Sequence, residues 1–237
     1  MVFLFNLLRL HSIMKLNISI LLILLTNLYF FGQSATIKDP DGWTNVREKP
    51  NSNSKILHKV FEGEFFFWTN SGFKESEWVK VFIPINKYSL EDKNADNPTI
   101  QGYIHRTRLF PTESIPKYKG DKFSFEYITQ KFEPSEKKIK YSKNGIASIN
   151  GRHIYGTDMS TPGRQVNKII VKINNERIPI HKVFYEDIFE CNNKFEVHKI
   201  GNLFIVNQWN SDGAGAYEIV WVLDKNGVKQ RLVGSII

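Results

Sequence analysis

The sequence predicts a mainly β protein in which a small five-stranded barrel precedes a second β-rich domain of the α+β type. Two observations lead to this fold class. Aromatic residues make up 14% of the chain, with 18 phenylalanines, and such rings favour half-buried strand faces. After residue 42, short β-like runs alternate with turn signals rich in Gly, Asn and Pro, which is typical of chains of short strands.

Residues 1–34 are predicted to be a signal peptide. Lys15 precedes an almost entirely apolar run at residues 18–31, and small side chains suited to cleavage follow at residues 32–35. The run is shorter than the roughly 20 residues that a spanning helix needs. A cleaved signal is therefore favoured over an uncleaved anchor, with no membrane span after its removal. Translation could begin at Met1 or at Met14, and the mature protein is expected to be periplasmic or secreted.

Residues 35–111 hold the predicted barrel. Its five strands are predicted at residues 43–46, 56–60, 64–68, 78–83 and 102–105. Pro50 bends the polar loop after the first strand, and Gly63 ends the second. Residues 86–99 are polar and offer no core face, so we interpret them as an inserted surface loop before the closing strand.

The order of landmarks in this segment resembles a bacterial SH3 (SH3b) domain. The landmarks are Val46-Arg47, Pro50-Asn51, Gly63-Glu64, Trp78 with Val81, and Gly102-Tyr103-Ile104. The resemblance implies an SH3-like five-stranded barrel and a binding role, because such domains hold cell-wall peptides or position partner domains. The insertion at residues 86–99 departs from the pattern and leaves the register of the closing strand open.

Residues 112–122 are predicted to be a linker, and residues 123–237 a β-rich domain of a type that the sequence does not identify. A hairpin is predicted at residues 168–180, where Asn174-Asn175 separates two β-branched runs. Apolar residues at helical spacing predict a short helix at residues 183–189. Further strands are predicted at residues 195–200, 203–208, 217–223 and 228–233. Residues 150–158 and 210–217 are the densest polar and glycine-rich stretches.

The charge of the chain argues against nucleic-acid binding. The formal net charge is +8, but the basic residues are scattered among acids, with no basic stripe that carries interleaved aromatics. A mild attraction to anionic cell-surface polymers is compatible with this charge.

No catalytic, metal-binding or cofactor-binding residue is predicted. Cys191 is the only cysteine, so no intramolecular disulfide can form, and neither it nor His198 lies in a nucleophile signature. His153, Asp158, Ser160 and Thr161 lie close in sequence and are residue types that hydrolases use for catalysis. The chain has no Gly-x-Ser-x-Gly turn, however. The histidines lack metal-ligand spacing.

The residues predicted to bind a ligand are Trp43, Trp68, Tyr103 and His105, as exposed rings beside polar groups. Core packing is the competing interpretation for each of these rings, and for any single ring it is favoured over ligand binding. The function predicted is that of a non-catalytic binding protein of the bacterial cell envelope, whose barrel engages cell-wall peptide or a protein partner. The alternative is an inhibitor or immunity-type protein whose C-terminal domain blocks a toxin or hydrolase.

Overall fold

Antiparallel β-strands dominate the computed structural model, which describes residues 33–69, 76–90, 99–157 and 160–235. The mainly β prediction is therefore confirmed. Within these ranges the only helical segments are short 3₁₀ turns, so the α+β description of the second domain was wrong. Residues 1–32 of the predicted signal peptide lie outside the described residues. No helix in the described ranges is long and apolar enough to cross a membrane.

Seven strands from the first half of the chain form one sheet. In space their order is β3-β2-β6-β5-β4-β1-β7, and neighbours are antiparallel. The strands are β1 (Gln33–Ile37), β2 (Trp43–Arg47), β3 (Ile56–Phe61), β4 (Phe66–Thr69), β5 (Trp78–Pro84), β6 (Thr99–His105) and β7 (Leu109–Pro111). The five strands predicted from sequence are confirmed as β2 to β6. Strand β1 begins at Gln33 and so overlaps the end of the predicted signal segment.

The inner face of this sheet encloses one apolar core. Alternate residues of the strands point inward, as the period of two requires, and the ladder leaves β3 and β7 as the two edges. The fully or largely buried members of this core are Ala35, Ile37, Val46, Val60, Phe66, Trp68, Val79, Val81, Ile83 and Ile104. The sheet therefore curls around a core, while the strand pairing among described residues remains open.

Strand β6 crosses β2 at a point where only glycine fits. A Cβ on Gly102 would lie 2.6 Å from Cγ1 of Val46 and 2.7 Å from the carbonyl oxygen of Arg47. Both distances are below ordinary van der Waals contact, and one of the atoms belongs to the backbone. The glycine of the Gly-Tyr-Ile landmark therefore has a physical role, since it allows the two backbones to approach closely.

Replacing Gly102 with alanine is expected to lower the free energy of unfolding by about 1–3 kcal/mol, because the added methyl group overpacks the crossing. Urea denaturation measures this difference. Gly163→Ala is the matched control, since its Cβ would meet only Oε1 of Glu190 at 3.4 Å. Equal losses in the two variants would contradict the role of Gly102 in the close approach of β2 and β6.

The second half of the chain forms three further sheets. Strands β9 (Ile139–Ser142) and β10 (Gly145–Ile149) make a hairpin. The order β12-β11-β8 makes a second sheet from β8 (Phe123–Lys131), β11 (Arg164–Ile173) and β12 (Glu176–Ile178). The order β13-β14-β15-β16 makes a third from β13 (Glu196–Ile200), β14 (Leu203–Asn210), β15 (Tyr217–Asp224) and β16 (Gly227–Ser235). The predicted hairpin is confirmed, and Asn174 and Asn175 have φ of 51° and 67°, as such tight turns require.

Both faces of the four-stranded sheet are buried. One face packs on the β8–β11–β12 sheet around Trp221, and the other packs on the first half of the chain around Val220 and Val222. This explains why residues 217–223 of β15 are all buried and why their sequence is almost continuously apolar.

The two halves of the chain therefore share an interface, and residues 32–237 cluster as one compact unit. Ile115, in the predicted linker, is buried in the shared cluster with Phe65 and Leu232. The base of the predicted surface loop also contributes to this interface. Arg231 donates to the carbonyls of Tyr88 and Ser89. Residues 91–98 of that loop lie outside the described residues.

The predicted helix at residues 183–189 was wrong. Only Lys182–Phe184 forms a 3₁₀ turn, and the chain then pairs with the start of β11. The Val166 N–H donates to the Ile188 carbonyl, and the Glu190 N–H donates to the Arg164 carbonyl. Pairing with a neighbouring strand therefore overrides the helical spacing of the apolar residues.

Candidate functional site

A groove with a volume of about 430 Å³ lies between the seven-stranded and four-stranded sheets. Its size is in the range of ordinary ligand sites, and its walls are mostly apolar. The first half contributes His58, Val60, Phe61, Glu62, Gly63, Glu64, Phe65, Ile83, Pro84, Ile85 and Lys87, and the second contributes Leu203, Val222, Lys229 and Gln230. Neither half forms the groove alone.

The turn between β3 and β4 forms one wall and is held by hydrogen bonds. The Glu64 carboxylate accepts from the Phe61 N–H at 2.9 Å, and the Gly63 N–H donates to Oγ1 of Thr36 at 3.0 Å. Gly63 has φ +83°, and a Cβ there would lie 2.8 Å from Cδ1 of Leu203. Glycine therefore lets the turn approach the four-stranded sheet.

Gln230 on β16 fastens this wall to the second half. Its side-chain oxygen accepts from the Phe65 N–H at 2.7 Å, and its amide nitrogen donates to the Phe65 carbonyl at 2.7 Å. Phe65 and Gln230 are both buried, so these paired bonds form away from water. The buried part of the groove, where Phe65 and Gln230 meet, is therefore pre-formed and does not need a ligand to assemble it.

The mouth of the groove combines exposed apolar side chains with charges of both signs. Phe61 is 48% exposed and Ile85 is 65% exposed, which is unusual for large apolar residues that lie together at a cavity. The exposed charges at the rim are the acids Glu62 and Glu64 and the bases Lys87 and Lys229. This arrangement can bury an apolar side chain while polar or charged groups on either side of it meet the rim.

None of the four residues predicted to bind a ligand lines this groove. Trp68 is 8% exposed and belongs to the core of the seven-stranded sheet, so core packing is observed for this ring. Trp43, Tyr103 and His105 are half-buried on the outward side of the sheet, opposite the core of that sheet. The ring of His105 meets Trp78 edge-on, with 5.5 Å between centroids.

A second pocket brings together the two polar, glycine-rich stretches of the second half. It has a volume of about 530 Å³ and is lined by Gly156, Thr157, Ser160, Glu190, Ser211 and Asp212. The Ser211 hydroxyl donates to the Gly156 carbonyl at 3.0 Å. The Glu190 carboxylate already accepts from the backbone N–H groups of Gly163 and Arg164. These bonds use the pocket's polar groups to fix the loops.

Most of the residues whose types would suit catalysis make contacts that stabilise the fold. Cys191 is buried in the core of the second half, and burial raises the pKa of its thiol to about 12, so the nucleophilic thiolate is disfavoured. His198 is fully buried, with Nδ1 2.7 Å from the Ile115 carbonyl oxygen. The Ser160 hydroxyl donates to the Thr157 carbonyl. Asp158 lies outside the described residues.

Among the described residues, no group of three or more His, Cys, Asp or Glu side chains is placed to hold a metal ion. Comparisons with protein-family models, with curated proteins and with solved structures return no match for this chain. The fold and the groove therefore define it only as a mainly β protein with a cleft between two parts of one chain. The sequence signal for the groove was the Glu62-Gly63-Glu64 turn, which marks one wall and does not reveal the other.

Proposed function

We propose that the protein is a non-catalytic binding protein that holds a peptide segment in the groove between its two halves. The observation that carries the proposal is that the groove has buried apolar lining residues, Val60, Phe65 and Val222, and the exposed Phe61 and Ile85 at its mouth. A peptide offers what this groove lacks, an apolar side chain flanked by polar and charged backbone or side-chain groups. We further propose that residues 35–111 are an SH3b-like module.

The proposed envelope location and ligand class rest on the sequence. The predicted signal peptide favours a location outside the cytoplasm, and the SH3b resemblance favours cell-wall peptide or a protein partner. Wall stem peptides carry both carboxylates and amines, and the rim of the groove carries Glu62, Glu64, Lys87 and Lys229. Charge complementarity on both signs therefore supports wall peptide as the ligand.

Substituting Ile85 with serine is expected to weaken binding to purified cell-wall material about tenfold, because a half-buried aliphatic contact contributes roughly 1.4 kcal/mol. A sedimentation assay with insoluble wall measures the bound fraction against protein concentration. Tyr141→Ser is the matched control, since Tyr141 is 66% exposed on the β9–β10 hairpin and Ile85 is 65% exposed.

Two results would overturn the proposal. One is that the wild-type protein does not sediment with the wall. The other is that Ile85→Ser and Tyr141→Ser bind as well as each other. A tight one-to-one complex with a toxin or hydrolase, without wall affinity, would instead support the inhibitor alternative.

A further inference from the structure

The outward face of the seven-stranded sheet, opposite its core, carries cations and aromatic rings side by side. This cation–aromatic face consists of Trp43, Asn45 and Arg47 on β2, Lys59 on β3, Trp78, Lys80 and Phe82 on β5, and Gln101, Tyr103 and His105 on β6. Each alternates with an inward residue of the same strand. None of these positions carries a carboxylate.

Strand register places the groups of the face in rows across the sheet. Tyr103 is opposite Lys80 on one side and opposite Arg47 on the other, so a ring lies between two cations. In the next row His105 is opposite Trp78. Neighbouring strands are about 4.8 Å apart, so the row from Lys80 to Arg47 spans roughly 10 Å.

Individual contacts show that the cations lie over the rings. The Lys59 ammonium is 3.5 Å from the ring centroid of Trp43, and the Lys80 ammonium is 5.1 Å from that of Phe82. Both distances are within the range of cation–π attraction. Among described residues, neither lysine nor Arg47 lies within 4.0 Å of a carboxylate, so their charges are not neutralised by ion pairs there.

We propose that this face binds an acidic polysaccharide. The C–H faces of pyranose rings pack on flat aromatic side chains, and carboxylates on the sugars meet the cations of Arg47, Lys59 and Lys80, so the ligand matches both features of the face. Because the ten positions of this face carry cations and no carboxylate, the face attracts a polyanion by complementary charge. The face adjoins the groove between the two sheets, since Phe61 at the groove mouth is opposite Trp43 in the strand register. The proposed ligand of the face differs in class from the peptide proposed for the groove.

A polyanion could also be single-stranded nucleic acid, which likewise combines flat rings with negative charge. The sugar polymer is favoured because the proposed location of the chain is outside the cytoplasm, where acidic polysaccharides are the abundant polyanions. Nucleic acid is therefore an outcome that the experiment must separate.

The test compares three probes for binding to the full protein by isothermal titration calorimetry: polygalacturonate, neutral dextran and an oligothymidylate. We expect binding to polygalacturonate, weakening as salt is raised, and none to dextran. In the variant Lys59→Gln/Lys80→Gln the dissociation constant for polygalacturonate should rise roughly tenfold. Tyr103→Ala should weaken binding without changing the net charge.

The control is Lys168→Gln/Lys172→Gln, which removes the same charge from two exposed lysines of β11. It should bind polygalacturonate as the wild type does. Equal losses in the two double variants would mean that net charge alone acts, and would overturn the proposal. Absence of polygalacturonate binding, or tighter binding to oligothymidylate, would also overturn it.

Discussion

Replacing Asp187 with alanine is expected to lower the free energy of unfolding by roughly 3–5 kcal/mol, because it leaves a buried guanidinium without its counter-charge. The Arg231 side chain is 1% exposed, and its Nη2 lies 2.8 Å from Oδ1 of Asp187. The second oxygen of Asp187 is 3.4 Å from Nη1 of Arg152. The carboxylate therefore neutralises two cations, one of them fully removed from water.

The same substitution should loosen the base of the insertion at residues 86–90, since Arg231 also donates to the Tyr88 and Ser89 carbonyls. Urea denaturation at pH 7 measures the global loss, and amide exchange at residues 87–90 measures the local one. Lys117→Ala is the matched control. It breaks the ion pair between Lys117 and Glu196, whose side chains are 58% and 49% exposed, and should cost less than about 1 kcal/mol. Similar losses in the two variants would show that the Arg231–Asp187 pair is not a buried anchor.

Glu218→Gln is expected to remove a fall in stability that the wild type shows as pH rises from about 4.5 to 7. Glu218 is 1% exposed on β15, and burial raises the pKa of its carboxyl to about 7, with the nearby charge of Glu113 adding to the rise. The carboxyl accepts from the N–H of Ser34 at 3.0 Å and from its hydroxyl at 2.5 Å.

The sign follows from the direction of this pKa. Because the folded state binds the proton more tightly than the unfolded state, the group's contribution is complete below about pH 4.5 and is lost as pH rises through 7. The amount is roughly 3 kcal/mol at 1.36 kcal/mol per pH unit. The glutamine variant keeps polar partners for Ser34 and does not titrate. Its stability relative to wild type should therefore rise across this window.

Chemical denaturation at pH 4.5, 5.5, 6.5 and 7.5 measures the difference between the two proteins. Glu176→Gln, at an exposed carboxylate of β12, is the control, and its difference from wild type should stay constant. A Glu218→Gln difference that is also constant would contradict the buried, proton-binding role of Glu218. A result of the expected sign would show that the junction between β1 and β15 weakens as pH rises from about 4.5 to 7.

The strands that the sequence predicted well are those fixed by local chemistry. The hairpin around Asn174 and Asn175 needs only two residues that tolerate positive φ. The alternation in β5 shows its buried face directly. Strand β1 could not be predicted in the same way, because Gln33 and Ser34 directly follow an apolar run that has the pattern of a signal peptide.

The groove and the shared core could not be predicted because they depend on contacts between distant parts of the chain. Nothing near Phe65 in sequence indicates that Gln230, 165 positions away, bonds its backbone. Glu218 was a visible signal that the sequence reasoning missed, since a single acid within the apolar run of β15 indicates a buried, partnered carboxyl. The cation–aromatic face is likewise assembled from four strands, whereas the sequence shows only scattered basic residues.

Hydrogen exchange with and without soluble stem peptides released from purified cell wall tests the central proposal most directly. If the groove holds the peptide, amides in residues 61–65 and 85–87 should gain protection, while those of the β9–β10 hairpin at residues 139–149 should not change. Protection confined to residues 43–47 and 101–105 on the cation–aromatic face, or no protection anywhere, would contradict the account.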